Sequence, residues 1–236
     1  MKVIGLIGGM SWQSSGEYYR LINETVRGRL GGLNSARILM YSLNHHQMAE
    51  LENNNQWSEA AEVVAEAAQS LERGGAHFIL VCCNVLHKVA GQVQSSIGIP
   101  LVHIADATAE AVTNSGLSAI GLLGVKAVME EDFFRGRLSS KHGLKVLVPD
   151  EAARDVVNDM ILNELSWGKV VASSKKKLLQ IAAGLETAGA EGLILGCTEL
   201  PLLIGPQDSS LPVFDTLALH AQKAVDLALA GQAEAT

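Results

Sequence analysis

Cysteine is scarce: three residues in a chain of 236, an odd number and too few for a disulfide framework, so free thiols are expected. Positive charge is also in short supply. Eighteen Lys and Arg against 25 Asp and Glu leave a net charge of −7, with no cationic field of the kind that a phosphate backbone or an anionic lipid surface requires. Neither nucleic acid nor membrane is an expected partner. No apolar run reaches the roughly 18 residues of a membrane span. The N-terminus enters a strand-like run at once, Lys2-Val3-Ile4-Gly5-Leu6-Ile7, without the basic start and small-residue cleavage site of a secretory signal. A cytoplasmic location is the expectation. The chain also lacks a pyridoxal-type lysine in a suggestive context, a metal-binding spacing and a dinucleotide fingerprint, so no cofactor and no metal are expected. No linker or low-complexity tract divides it, and residues 231–236 read as a frayed tail.

What is present is an alternation. Short β-rich runs at 3–7, 36–43, 77–83, 100–104, 118–123, 144–148, 191–196 and 211–214 end in Gly, Cys, Asn or Asp. Ala-rich helical stretches separate them, at 14–30, 57–73, 105–115, 130–142, 151–166, 174–188 and 216–230, with Ser58 and Ser174 as expected polar caps. Strands alternating with helices predict a parallel α/β class.

The chain also repeats itself. Leu71-Glu72-Arg73-Gly74-Gly75-Ala76-His77-Phe78-Ile79-Leu80-Val81-Cys82-Cys83 aligns without a gap on Leu185-Glu186-Thr187-Ala188-Gly189-Ala190-Glu191-Gly192-Leu193-Ile194-Leu195-Gly196-Cys197. At nearly the same offset Val3 to Gly8 echoes Ala119 to Gly124, and Ile99-Pro100-Leu101-Val102 echoes Leu211-Pro212-Val213-Phe214. Two similar parallel-sheet α/β halves are predicted, at 1–105 and 106–215, with the helix near 216–230 packing back on the first. A pseudo-twofold axis would relate the halves, and the active site would lie in the cleft between them.

In open parallel sheets ligands bind beyond the carboxyl ends of the strands, where both matched cysteines fall. Halves facing one another would bring Cys83 and Cys197 to a shared substrate from opposite sides. Inversion at a tetrahedral carbon needs that geometry, because one base removes a proton from one face while a conjugate acid delivers one to the other. Thiols suit the task, since their pKa of roughly 8.5 is readily lowered beside donors or helix N-termini. Backbone N–H groups for a substrate carboxylate are expected at Gly8-Gly9-Met10-Ser11, Cys83-Asn84-Val85 and Cys197-Thr198-Glu199.

Gly8-Gly9-Met10-Ser11-Trp12, Cys83-Asn84 followed by His87-Lys88, and Gly196-Cys197-Thr198-Glu199-Leu200-Pro201 resemble the three motifs of the aspartate/glutamate racemase family. The likeness extends through Tyr18-Tyr19, His103-Ile104-Ala105-Asp106 and Pro212-Val213-Phe214-Asp215-Thr216, and is nearest the branch of broad-specificity or L-aspartate/glutamate-specific amino-acid racemases. It implies a two-domain α/β fold and a pyridoxal-independent two-base mechanism. It further implies catalytic Cys83 and Cys197, an amino-acid substrate and a homodimer. Substrate contacts are expected from Met10, Ser11, Glu52, Asn84, Val85, Thr198 and Glu199. Three departures stand out. Val85 replaces the family's usual threonine. Cys83 stands where some members of the branch carry threonine. The segment from Asn44 to Asn55 holds no Lys or Arg for an acidic side chain, so Glu52 or Asn54 beside a neutral or basic side chain is the competing expectation.

The remaining residues receive plainer readings. Strand alternation turns Cys82 away from Cys83, and Gly196 occupies its place in the repeat, so Cys82 belongs to the core. Cys82, Cys83 and His87 fit no standard zinc spacing. His87 is expected to cap or pack within its helix, Asp106 and Asp215 to cap the helices they precede, and Lys175-Lys176-Lys177 to face solvent. Competing functions are a hydantoin racemase or maleate isomerase using the same two cysteines, and a non-catalytic ligand-binding protein, which needs no matched thiols.

Overall fold

A computed structural model describes residues 1–231; of the frayed tail expected at 231–236, residues 232–236 lie outside the described residues. The chain forms two compact units. Met1–Ile104 and the stretch from His220 onward make the first, and Ala105–Leu219 make the second.

The first unit is built from β1 (Ile4–Gly8), α1 (Trp12–Leu30), β2 (Ile38–Ser42), α2 (His45–Asn53), α3 (Trp57–Arg73), β3 (Phe78–Val81), α4 (Ala90–Ser95) and β4 (Leu101–Val102). The helix α5 (Ile104–Asn114) leads into the second unit. There β5 (Ala119–Gly124), α6 (Lys126–Glu130), α7 (Arg137–His142), β6 (Lys145–Leu147), α8 (Glu151–Asn163), α9 (Ala172–Thr187), β7 (Leu193–Gly196) and β8 (Val213–Asp215) follow. The chain returns to the first unit within α10 (Thr216–Leu229).

Each unit holds one four-stranded parallel sheet, in the orders β2-β1-β3-β4 and β6-β5-β7-β8. The inner strands β1, β3, β5 and β7 are buried at every residue. That is why they read as unbroken apolar runs rather than alternating ones. The edge strands β2 and β6 carry exposed residues. In the first unit Ile7, Met10, Met48, Val64, Ile79 and Leu86 share one core cluster.

The internal repeat recurs as matched hydrogen bonds. Ala76 N–H reaches Leu71 C=O at 3.0 Å, and Ala190 N–H reaches Leu185 C=O at 2.9 Å. His77 donates to Val3 and Glu191 to Ala119, each at 2.9 Å; Ile79 donates to Pro100 and Leu193 to Pro212, each at 2.8 Å. Gly75 and Gly189 turn the chain out of α3 and α9 at φ of 93° and 97°. Glycine adopts that region without the steric cost a side chain would bring.

Several sequence expectations need correction. Ser58 and Ser174 lie inside the first turns of α3 and α9, whose caps are Gln56 and Val171. A capping residue holds extended φ/ψ, and both serines already have helical neighbours on each side. The helix expected at 130–142 is broken, because Glu131 is extended and a π-turn at Asp132–Gly136 precedes α7. The helix expected at 151–166 ends at Asn163, followed by a 3-10 turn at Leu165–Trp167. Helices α2 and α4 lie where none was predicted. Asp106 is no cap: it lies within α5, and Arg137, Lys141 and His142 bind its carboxylate at 2.7 to 2.8 Å. Asp215 does cap, accepting the Leu217 N–H at 2.9 Å. Among the described residues no helix is long and apolar enough to cross a membrane.

Candidate active site

In the first unit, register sets Gly8 beside Ser42 and Ile7 beside Val81, so the turns after β1, β2 and β3 leave the same edge of one sheet. The turn after β1 is tightly built. Gly9 has φ of 97°, and a Cβ there would stand 2.1 Å from the Leu43 carbonyl oxygen. Its N–H donates to the Ser15 hydroxyl at 2.9 Å, so this member of the expected carboxylate nest is used within the fold. Ser11 caps α1, accepting the Ser14 N–H at 3.3 Å. Met10 is buried in the core cluster, whereas Trp12 is exposed.

Cys83 follows β3 directly after the fully buried Cys82, whose N–H is fixed to Ile7 C=O at 2.8 Å. Burial, and then the neighbouring Cys83, push the Cys82 thiol well above the ordinary thiol range. Cys83 is half-buried. Asn84 is buried, and Val85 opens a 3-10 turn, Val85–Val89.

His87 in that turn neither caps a helix nor merely packs. Ile104 N–H donates to its Nε2 at 3.1 Å, so the ring proton sits on Nδ1 and donates to the Cys83 carbonyl at 2.8 Å. The ring lies 4.6 Å from that of His103 and 5.7 Å from that of His220. His220 Nε2–H donates to Val102 C=O at 2.9 Å, which leaves Nδ1 to accept the Tyr18 hydroxyl at 2.8 Å. Burial, and then the neighbouring His87, depress the His220 pKa to about 3, so it is neutral in the folded protein. This buried polar chain underlies the cysteine turn. Sequence reasoning missed it, because Tyr18, His87, His103 and His220 share no spacing that marks them as partners.

Glu52 is half-buried in the last turn of α2, with Oε1 buried and without a hydrogen-bond partner. Burial raises its pKa to about 7, and the charge of Lys88 pulls the other way. The Lys88 ammonium lies 4.2 Å from the centroid of the Trp57 ring.

In the second unit, Cys197 follows β7 as Cys83 follows β3. Its Sγ–H donates to Glu199 Oε2 at 2.9 Å, and the Thr198 hydroxyl donates to the same oxygen at 2.7 Å. Cys197 is buried, and Thr198 and Glu199 are half-buried. A carboxylate in this position orients the thiol proton and can accept it. Among the described residues no group of three His, Cys, Asp or Glu is placed to hold a metal ion.

Known proteins match along nearly the whole chain. The Asp/Glu/Hydantoin racemase family model matches residues 7–224. The broad specificity amino-acid racemase RacX of Bacillus subtilis is 22% identical over 233 residues, covering 98% of this chain and all of RacX. Among solved structures, a candidate Asp/Glu racemase from Yersinia pestis is 47% identical with a TM-score of 0.94, covering 97% of this chain and 100% of that one. An aspartate racemase homologue from Pyrococcus horikoshii OT3 is 35% identical with a TM-score of 0.85, covering 97% and 99%. With one family model across most of its length and two whole-length relatives above 30% identity, the chain belongs to the Asp/Glu/hydantoin racemase family.

Proposed function

We propose that this protein is an isomerase acting on amino acids, a pyridoxal-independent racemase in which Cys83 and Cys197 move the α-proton. The observation that carries the reading is the equivalence of the two cysteines. Each follows the third strand in sequence of its own four-stranded parallel sheet, at matched positions of the repeat. A sensor or receptor has no use for that symmetry. A catalyst that runs in both directions does, because the base of one direction is the acid of the other.

In one direction the thiolate of one cysteine takes the α-hydrogen, leaving a carbanion beside the substrate carboxylate. The thiol of the other cysteine then gives its proton to the opposite face. Enzyme protonation is thereby reversed, and the enzyme in this state accepts the mirror-image substrate directly or returns to its first state by exchanging protons with water. Glu199 supports this role at Cys197 by holding the Sγ–H in a defined direction, with Thr198 steadying the carboxylate. His87 supports it at Cys83 by fixing the backbone carbonyl of that residue. The reading requires a single substrate to reach both thiols.

The test is α-hydrogen exchange in D₂O without pyridoxal phosphate, followed by NMR and chiral chromatography for each proteinogenic amino acid in both enantiomers. Wild type is expected to exchange with inversion. Cys83→Ser and Cys197→Ser should each lose about 10²-fold or more in racemisation, the scale of a lost general acid or base. Absence of exchange with every amino acid in the wild type would defeat the reading and favour a hydantoin or a dicarboxylate as substrate.

A further inference from the structure

The backbone at Cys83 has left its sheet and is secured by a side chain. Strand β3 ends at Val81, and Cys82 N–H just beyond it bonds to Ile7 C=O at 2.8 Å. The next carbonyl, that of Cys83, accepts the His87 Nδ1–H at 2.8 Å. At the matching turn of the second unit, the Cys197 carbonyl accepts a backbone donor instead, Leu200 N–H at 3.3 Å. A histidine grip thus distinguishes Cys83 from its counterpart.

Backbone groups cannot exchange donor and acceptor roles, so they fix how the rings are protonated. Val102 C=O accepts from His220 Nε2–H at 2.9 Å, which leaves His220 Nδ1 to accept the Tyr18 hydroxyl at 2.8 Å. Ile104 N–H donates to His87 Nε2 at 3.1 Å, which commits the His87 proton to Nδ1 and the Cys83 oxygen. Residues 102–104 are therefore gripped by two rings. Tyr18 and His220 are closed to solvent and His87 nearly so, and water does not compete for these bonds. A planar trans peptide points its N–H opposite to its C=O. By holding the Cys83 oxygen, His87 sets the direction of the Asn84 N–H and polarises it, because an amide bonded at oxygen donates more strongly. Positive potential held beside a cysteine favours its thiolate.

We propose that Tyr18, His220 and His87 form a positioning relay for Cys83. The tyrosine hydroxyl orients His220, His220 braces residues 102–104, and Ile104 presents the N–H that commits His87 to the Cys83 carbonyl. That Cys83 carries the α-proton rests on the racemase reading; the effect of the relay on its thiol does not.

Full-length wild type, Tyr18→Phe, His87→Asn and His87→Leu would be compared, with thermal melting to establish folding. Asparagine places its Nδ2–H near the position of the imidazole Nδ1–H and so restores the donor that leucine lacks. Two readouts separate positioning from a merely structural role. One is the pH profile of Cys83 alkylation by iodoacetamide, located by mass spectrometry; the other is the split of α-hydrogen exchange into kcat and KM. Cys82 and Lys88 at this turn, and Glu52, which feels the Lys88 charge, stay unchanged in every variant. In His87→Leu the alkylation midpoint is expected to rise by about half a pH unit or more, the scale of one hydrogen bond. Its kcat should fall about tenfold, with KM altered less than about threefold. Tyr18→Phe should move both readouts the same way by a smaller amount, and His87→Asn should recover most of the loss. Wild-type values of both readouts in Tyr18→Phe would overturn the relay, even with a lowered melting temperature. So would an asparagine variant no better than leucine. If His87→Leu does not fold, Tyr18→Phe alone decides. A wild type that exchanges no amino acid, with the alkylation midpoint still shifted in the variants, would keep the relay and defeat the racemase reading. Exchange in the wild type with unshifted variants would do the reverse.

Discussion

The two candidate cysteines have different neighbours, and the difference makes predictions. The Cys197 thiol points its proton at a carboxylate, while Cys83 is held through its carbonyl by His87. Glu199→Gln retains an acceptor oxygen but not the charge, so racemisation is expected to fall by about tenfold or more while the fold is retained. Rates measured from the L and the D enantiomer check it. No change in either rate would remove Glu199 from the proposed mechanism. Iodoacetamide offers a second test, because thiolate character and access govern alkylation. Peptide mapping should find Cys83 modified in the folded protein and Cys82, buried and with its thiol pKa pushed up, modified only after denaturation. Of the residues singled out in sequence, the cysteines were legible because they recur in a repeat and end β-rich runs. Glu52 was legible only as an acidic residue in a segment without cations. Its buried, partnerless oxygen follows from the packing of α2, which no local pattern displays.

At the scale of elements, the strands and most helix starts were readable, those at 57, 151 and 216 to the residue, whereas the capping residues and the break at Glu131 were not. Strand positions follow from apolar runs that local composition reveals, and all eight lie within a few residues of expectation. Ser58 and Ser174 resembled caps, but a cap depends on where the backbone leaves the helix, and that is decided by docking against the sheet. The polar chain joining the 3-10 turn after Cys83 to α10 is likewise a product of docking, and it has a pH consequence. His220 is neutral when folded, with a pKa of about 3 against 6.5 in an unfolded chain. A depressed folded pKa contributes stability that is complete above about pH 6.5 and is lost as pH falls toward 3. Glu52 acts in the opposite sense: its pKa is raised from 4.5 to about 7, so its contribution is complete below pH 4.5 and is lost as pH rises through 7. The two offset between about pH 6.5 and 4.5, and only His220 of the pair still titrates below that range. Denaturant titrations should therefore show stability falling between about pH 4.5 and 3, with a shallower slope in His220→Gln. An unchanged slope would mean that His220 is not held neutral.

At the scale of the whole molecule, the chain closes on itself through α10. Residues from His220 onward belong to the first unit, where Ala221, Ala224, Val225 and Ala228 are buried and Lys2 N–H bonds to Ala228 C=O at 2.9 Å. Deleting the chain from His220 removes that apolar face and the partner of Tyr18. The truncated protein is expected to lose its cooperative thermal transition or to become insoluble, by removal of several buried side chains at once. A truncated form with an unchanged melting curve would contradict this.

The sequence by itself determined the parallel α/β class, the strand positions and the duplication. Apolar runs, helix-length Ala-rich segments and matched Gly-Ala turns are local properties, and the same local sequence makes the same hydrogen bonds wherever it recurs. Tertiary structure alone decided that Gly9 N–H is consumed by Ser15, that Asp106 is an ion-pair hub rather than a cap, that three histidines and Tyr18 form one buried chain, and that Glu52 hides an oxygen without a donor. Apart from the six-residue Gly9–Ser15 turn, these depend on packing between segments distant in sequence, where the cost of an unmet polar atom is set by its neighbours and not by its place along the chain.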